Sequence, residues 1–213
     1  MSDSPFVQLV MVIVIGYLFG SIPTAYIVAK TKGINIFEVG SKNMGATNVG
    51  RSLGFWWGIL VWVCDSVKGI VAIALATLVM PNNWAAATAI AATTAVIGHN
   101  WSIFATLLTG TIQGGKGAAI WFGTMFAIAP LQLLVAISVL GVAIIALTRY
   151  VSLAVLSMCA LATIWILVLI TQHTMPMEYI FYITVVAVMI IYRFRENIQR
   201  LASGTERRLG DPA

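Results

Sequence analysis

Charge is nearly missing from this chain, and the little there is falls unevenly. Only 9% of the 213 residues are charged, against 60% that are hydrophobic. So sparse a supply cannot cover a soluble domain, and the composition is that of an integral membrane protein. Cysteine is equally scarce. Cys64 and Cys159 each stand alone inside an apolar run, which excludes a disulfide framework and any thiolate ligand spacing. Histidine occurs only at 99 and 173, and no His, Cys or carboxylate cluster is spaced for zinc. No serine–histidine–acid spacing is present either. No metal or cofactor is expected.

What is present is long apolar runs, at about 5–30, 53–80, 84–107, 118–129, 131–147, 151–171 and 176–192. A spanning helix needs about 20 apolar residues, so these read as about seven transmembrane helices. The run at 118–129 falls short of that length. It is either a short tilted span or half of a helical hairpin with 131–147. The first run lacks a basic leader and a cleavage site, and reads as a retained helix. Of the twelve basic residues, all except Lys68 fall in the breaks at 30–52, 108–117, 148–150 and 193–213. The breaks at 81–83, around Pro130 and at 171–176 carry none. Cationic loops resist translocation, so the first set is expected to be cytoplasmic, the N-terminus external and the C-terminus cytoplasmic. The net charge of +5 is accounted for by topology and anionic headgroups at the membrane edge, not by nucleic acid.

The breaks on the basic side also hold the motifs. Residues 39–51 are dense in small donors: Ser41, Asn43, Thr47 and Asn48 lie among Gly40, Gly45 and Gly50, with Lys42 and Arg51 adding charge. Glycines that turn tightly and expose backbone N–H groups suit a phosphate. A flexible connector is the simpler account, but one of this length and donor density is unusual. Gly114-Gly115-Lys116-Gly117 opens the run at 118, placing a lysine at a helix N-terminus that already favours anions. The P-loop spacing is absent. By itself this segment fits an anion site and a topology-fixing loop equally. Ser152, after Arg149-Tyr150, and Asn197, after Arg193-Phe194-Arg195-Glu196, contribute nothing to topology and call for another role.

Within the apolar runs, Asp65 and Lys68 lie three apart, on one helix face. Each alone costs about 2.5–3.5 kcal/mol near the bilayer centre, so a structural pair is expected. His99-Asn100 interrupts another run; a general base is one reading, and a histidine bonded to a neighbouring helix is the simpler one. Gly16 and Gly20 are spaced for close helix packing.

In order and spacing, these segments resemble the bacterial acyl-phosphate:glycerol-3-phosphate acyltransferase family along nearly the whole chain. The resemblance is carried by Gly20-Ser21-Ile22-Pro23, Gly40 to Arg51, Asp65 with Lys68-Gly69, Gly98-His99 and Gly114 to Gly117. It continues through Arg149-Tyr150-Val151-Ser152, Tyr192-Arg193, Arg195-Glu196-Asn197-Ile198 and Gly204-Thr205-Glu206. It implies one membrane-embedded acyltransferase domain over 1–213, in the bacterial plasma membrane with its active site at the cytoplasmic face. It also implies acyl transfer from acyl phosphate to the 1-hydroxyl of glycerol 3-phosphate, giving lysophosphatidic acid without an acyl-enzyme. Carried over by motif, Lys116, Ser152 and Asn197 are the candidate catalytic residues. Ser41, Asn43, Thr47, Asn48, Arg51, Gly114, Gly115, Gly117 and Arg195 are the candidate substrate-binding residues. Implied partners are the two substrates, membrane lipids and the enzyme that supplies acyl phosphate. Three positions depart from the family pattern: Lys42 where glycine is usual, Ile120 where a polar residue is, and Phe194 where histidine is. An altered member acting on another phosphorylated alcohol, or a binding or transport protein on the same fold, remains the alternative.

Sidedness is directly testable. In a cysteine-free background, cysteine at Asn83 should react with an impermeant thiol reagent from outside intact cells, and cysteine at Ser203 should not. Labelling of both from one side overturns the threading.

Overall fold

The structure, a computed structural model, describes residues 4–211. It is all-helical, and among those residues the only β pairing is an isolated bridge between Ser102 and Gln113. In chain order the helices are α1 Pro5–Ser21, α2 Thr24–Thr31, α3 Ala46–Leu53, α4 Phe55–Val79, α5 Trp84–Asn100 and α6 Ile103–Thr109. They continue with α7 Ala118–Ile128, α8 Leu131–Thr148, α9 Val151–Thr171, α10 Tyr179–Arg193 and α11 Arg195–Ala202. Two compact units result, one holding α1 to α7 and the other α8 to α11.

Among the described residues, four segments are long and apolar enough to cross a membrane: Pro5–Thr31, Phe55–Val79, Leu131–Thr148 and Val151–Thr171. Ala118–Ile128 and Tyr179–Arg193 are shorter apolar helices. Side chains such as Trp56, Leu107 and Leu147 stand largely exposed; in hydrocarbon that exposure costs nothing, because lipid tails are as apolar as the side chains.

Two apolar runs are not the continuous helices expected. The run at 5–30 breaks at Ile22-Pro23, where the proline ring forbids an unbroken helix. The run at 84–107 ends one helix at Asn100 and starts another at Ile103. There the Ser102 N–H leaves the helical ladder to donate to the Gln113 carbonyl at 2.9 Å, while its hydroxyl accepts from Ala105 N–H as an N-cap. With 11 residues, α7 is about 16 Å long, roughly half of a hydrocarbon core.

The first unit is held by backbone-close crossings. A Cβ on Gly20 would run into the Ala95 carbonyl, one on Gly16 into Thr94 and Ala91, and one on Gly98 into the Tyr17 carbonyl. The Gly16–Gly20 pair therefore lets α1 and α5 touch backbone to backbone, as its spacing suggests. Gly123 sits likewise on the backbone of Ser66, joining α7 to α4, with Ser66 Oγ donating to the Ala119 carbonyl at 3.0 Å. In the second unit Gly141 of α8 faces Met158 of α9, and Tyr182, Ile183, Val186 and Ile190 of α10 are buried.

Gly20→Val should lower stability by about 1–3 kcal/mol or more, because the obstructing atoms are backbone and cannot rotate away. Thermal unfolding in detergent measures it, and an unchanged midpoint would mean that α1 and α5 do not cross this closely.

Candidate functional site

The segment between α2 and α4 is half loop and half helix, which corrects the reading of 39–51 as a loop with three turning glycines. Gly40 does turn, at φ +58. Gly45 is extended at the start of α3, and Gly50 lies within α3, where it crosses Gly58 of α4. Lys42 takes φ +53, a left-handed conformation that suits the glycine usual at this position. A cluster of Ala25, Ala29, Ile36, Met44, Val49, Val61 and Ala105 seats the segment on α2, α4 and α6. Lys32 lies over the Trp57 ring, 4.4 Å from its centroid.

Asn48 is fully engaged inside this loop. Its amide donates to the carbonyls of Ile36, Val39 and Asn43 at 3.0–3.2 Å, and its Oδ1 accepts from Ser41 N–H at 2.8 Å. Beside the substrate contact expected of it, Asn48 is a staple that holds the loop's shape. Thr47 and Arg51 are four apart on α3 and so share a face. Ser41 is exposed and Asn43 half-buried.

The glycine–lysine loop is pinned to the end of α5. Gly115 N–H donates to the His99 carbonyl at 2.8 Å, and the Ser102–Gln113 bridge holds the same two strands of chain one step further on. A Cβ on Gly114 would strike the Asn100 carbonyl, and one on Gly115 the His99 ring. Both glycines are thus required by packing, a reason beyond the phosphate approach expected of them. Gly117 turns at φ +81 just before α7, with the Asn100 carboxamide against it. Half-buried Lys116 therefore stands at the N-terminus of a helix on a fixed base. Asn100 is wholly buried, and both of its carboxamide atoms have no hydrogen-bond partner among the described residues. That arrangement costs a fold about 1–3 kcal/mol.

Behind this loop lies a buried charge network. Lys68 Nζ sits 2.7 Å from Asp65, donates to the Ile22 carbonyl at 2.8 Å and lies 3.0 Å from His99 Nδ1. An ammonium only donates, so Nδ1 accepts and Nε2 carries the ring hydrogen. That Nε2 edge faces Gly115. The expected Asp65–Lys68 pair and the interhelical bond of His99 are one network.

In the second unit, Ser152 and Asn197 are brought together by a residue that motif reasoning quoted without assigning a role. Glu206, with 6% of its side chain exposed, accepts from Ser152 Oγ at 2.8 Å, Asn197 Nδ2 at 2.6 Å and Arg200 Nε at 2.7 Å. Burial pushes its carboxyl up, but the hydrogen bonds from Asn197, Arg200 and Ser152 and the Arg200 charge outweigh that. The carboxylate is therefore held below its ordinary range. Arg149, in a left-handed C-cap after α8, donates to the Leu209 carbonyl and ties the tail down. Arg195 does not join this cluster; its guanidinium lies over the Tyr192 ring and donates to the Tyr192 carbonyl. Phe194, at the α10–α11 junction, is buried.

These features define an all-helical membrane protein with a lysine-bearing, glycine-lined loop suited to an anionic group. A known family has this form. Residues 10–204 match the family described as glycerol-3-phosphate acyltransferase. The glycerol-3-phosphate acyltransferase of Geotalea daltonii is 39% identical over 198 residues, covering 92% of this chain and 95% of the relative. One from Thermus thermophilus is 38% identical over 204 residues, with 96% of each chain covered. The glycerol 3-phosphate form of PlsY (YgiH), an integral membrane glycerol 3-phosphate acyltransferase, superposes with a TM-score of 0.83. Its identity is 33%, covering 95% of this chain and 96% of that one. Its lysophosphatidic acid form gives 0.81. The chain belongs to the glycerol-3-phosphate acyltransferase family.

The Glu206 clasp carries a pH signature. A group whose folded pKa is depressed contributes stability above its unfolded value, about 4.3, and loses it as pH falls through the lower folded value. Protection of the amides of residues 203–209, relative to their intrinsic exchange rates, should therefore hold at neutral pH and fall only below about pH 4.3. In Glu206→Gln it should be low throughout. Unchanged protection in that variant would show that the carboxylate does not hold the tail.

Proposed function

We propose that this protein transfers a fatty acyl group from acyl phosphate to the 1-hydroxyl of glycerol 3-phosphate, forming lysophosphatidic acid at the cytoplasmic face of the bacterial plasma membrane. The observation that carries the reading is the pinned glycine–lysine loop at the start of α7 in a chain of this family. The forms in which PlsY was solved, with glycerol 3-phosphate and with lysophosphatidic acid, support the acceptor and product. Seven crossings with an external N-terminus remain the topology that the distribution of Lys and Arg favours.

Both substrates carry phosphate and one carries a lipid tail, so a cationic site at the membrane edge suits them. The acyl phosphate is already activated. The glycerol hydroxyl attacks the acyl carbon, an ester bond forms, and the acyl carbon–phosphate oxygen bond breaks. The leaving phosphate departs with the hydroxyl proton, so neither a protein base nor an acyl-enzyme is needed. The observed pairings agree with that economy. Ser152 donates its hydroxyl to Glu206, a carboxylate that also accepts from Asn197 and Arg200 and is thereby made a weak base, and His99 Nδ1 faces the Lys68 ammonium instead of a hydroxyl. Lys116 neutralises the charge that develops on the phosphate. Thr47 and Arg51 on α3, with Ser41 and Asn43 beside them, are proposed to contact substrate. Ser152, Asn197 and Arg195 are assigned further contacts by motif, the first two oriented by Glu206. Phe194 can supply none of the hydrogen bonds of the histidine usual there.

Purified protein in detergent, given acyl phosphate and glycerol 3-phosphate, should form lysophosphatidic acid. Lys116→Met should cut turnover at least roughly tenfold, the worth of a hydrogen bond to a charged group, while thermal stability holds. Normal turnover in that variant overturns the assignment of the loop. Gly115→Val is a poorer probe, since its side chain would meet the His99 ring.

A further inference from the structure

We propose that Asn100 is an additional anion-binding side chain of the glycine–lysine loop, donating its carboxamide N–H to a phosphate oxygen held at the N-terminus of α7. The proposal rests on the reading of that loop as a phosphate site and assigns it a donor that no motif supplies.

Four observations carry it. Asn100 is the last residue of α5 and is wholly buried, yet neither carboxamide atom has a hydrogen-bond partner among the described residues. The group is aimed at the loop: a Cβ on Gly117 would lie 3.0 Å from Oδ1 and 3.4 Å from Nδ2. Gly117 immediately precedes α7, whose first N–H groups have no helical partners and attract an anion. The placement is fixed, since Gly115 N–H to the His99 carbonyl and Ser102 N–H to the Gln113 carbonyl lock the loop to the end of α5.

The chemistry selects the ligand class. A fold gains nothing from an amide with both ends unsatisfied where leucine would fill the same volume. The group is therefore kept for something that the loop admits. Turning the carboxamide over exchanges its two ends without changing its shape, so an N–H can always face the loop. Beside it stand the Lys116 charge and the positive end of α7, which favour a phosphate over a cation or a neutral hydroxyl.

The test uses the full chain in detergent micelles, with inorganic phosphate as the calorimetric probe. Asn100→Asp keeps the shape and removes the donor; Asn100→Leu replaces the amide with an apolar group of similar size. Phosphate affinity should fall at least roughly tenfold in both. The phosphate-free melting temperature of the leucine variant should be unchanged or higher, which a purely structural role would not allow. In turnover, the KM for one of the two phosphate-bearing substrates should rise while the other holds, identifying whose phosphate Asn100 binds. The proposal is overturned if a folded variant keeps phosphate affinity within tenfold of the starting protein. It is overturned too if the starting protein takes up no phosphate, or if neither variant folds. Phosphate binding that depends on Asn100, without lysophosphatidic acid formation, would sink the acyl-transfer reading alone. Acyl transfer with phosphate binding indifferent to Asn100 would sink this one alone.

Discussion

Lys68 is the point on which the first unit depends. In hydrocarbon, a helix break leaves carbonyls that no water can satisfy. The break at Ile22-Pro23 frees such groups, and the Lys68 ammonium supplies a donor to the Ile22 carbonyl while Asp65 neutralises its charge. The second break, at Trp101-Ser102, is met from the first: Ser102 Oγ donates to the Ser21 carbonyl, and Ser21 Oγ to the Gly98 carbonyl. Two interruptions that would each be costly alone satisfy each other. An apolar residue at 68 would take the cation from a buried carboxylate and a donor from both the Ile22 carbonyl and the His99 ring.

That arrangement fixes the end of α5, and the end of α5 fixes the glycine–lysine loop. His99 accepts from the loop through its carbonyl and faces it with its ring, while Asn100 lies behind Gly117. The missing side chains of the glycines let the loop lie against α5. The network is buried, and the Lys116 side chain above it is half-buried.

Much of this was legible in the residues. The Gly16–Gly20 spacing read as close helix packing, and the structure puts it on α5. Asp65 and Lys68 read as a pair from their separation alone. The histidine at 99 read as bonded to a neighbouring helix. Other positions hid a structural role. That Asn48 staples its own loop was not legible, because an asparagine in a glycine-rich loop has the same chemistry whether it binds substrate or its own backbone. Gly50 looked like a turn because a helical glycine at a crossing is indistinguishable in sequence from one at a bend. Glu206 lacked a role because its partners Ser152 and Asn197 lie 54 and 9 residues away.

By itself, then, the order of apolar and basic residues determined that this is a helical membrane protein with its polar motifs in the basic breaks. Those are one-dimensional constraints, set by the cost of burying charge and by the length of a span. The family resemblance is also one-dimensional, a matter of motif order. Only the tertiary structure decided that Lys68 bridges Asp65, His99 and the Ile22 carbonyl, that Glu206 gathers Ser152 with Asn197, and that Asn100 lies unsatisfied against Gly117. The first two depend on polar atoms that the fold brings within about 3 Å of one another, and hydrogen bonds, unlike hydropathy, are lost when such a distance is missed by an ångström.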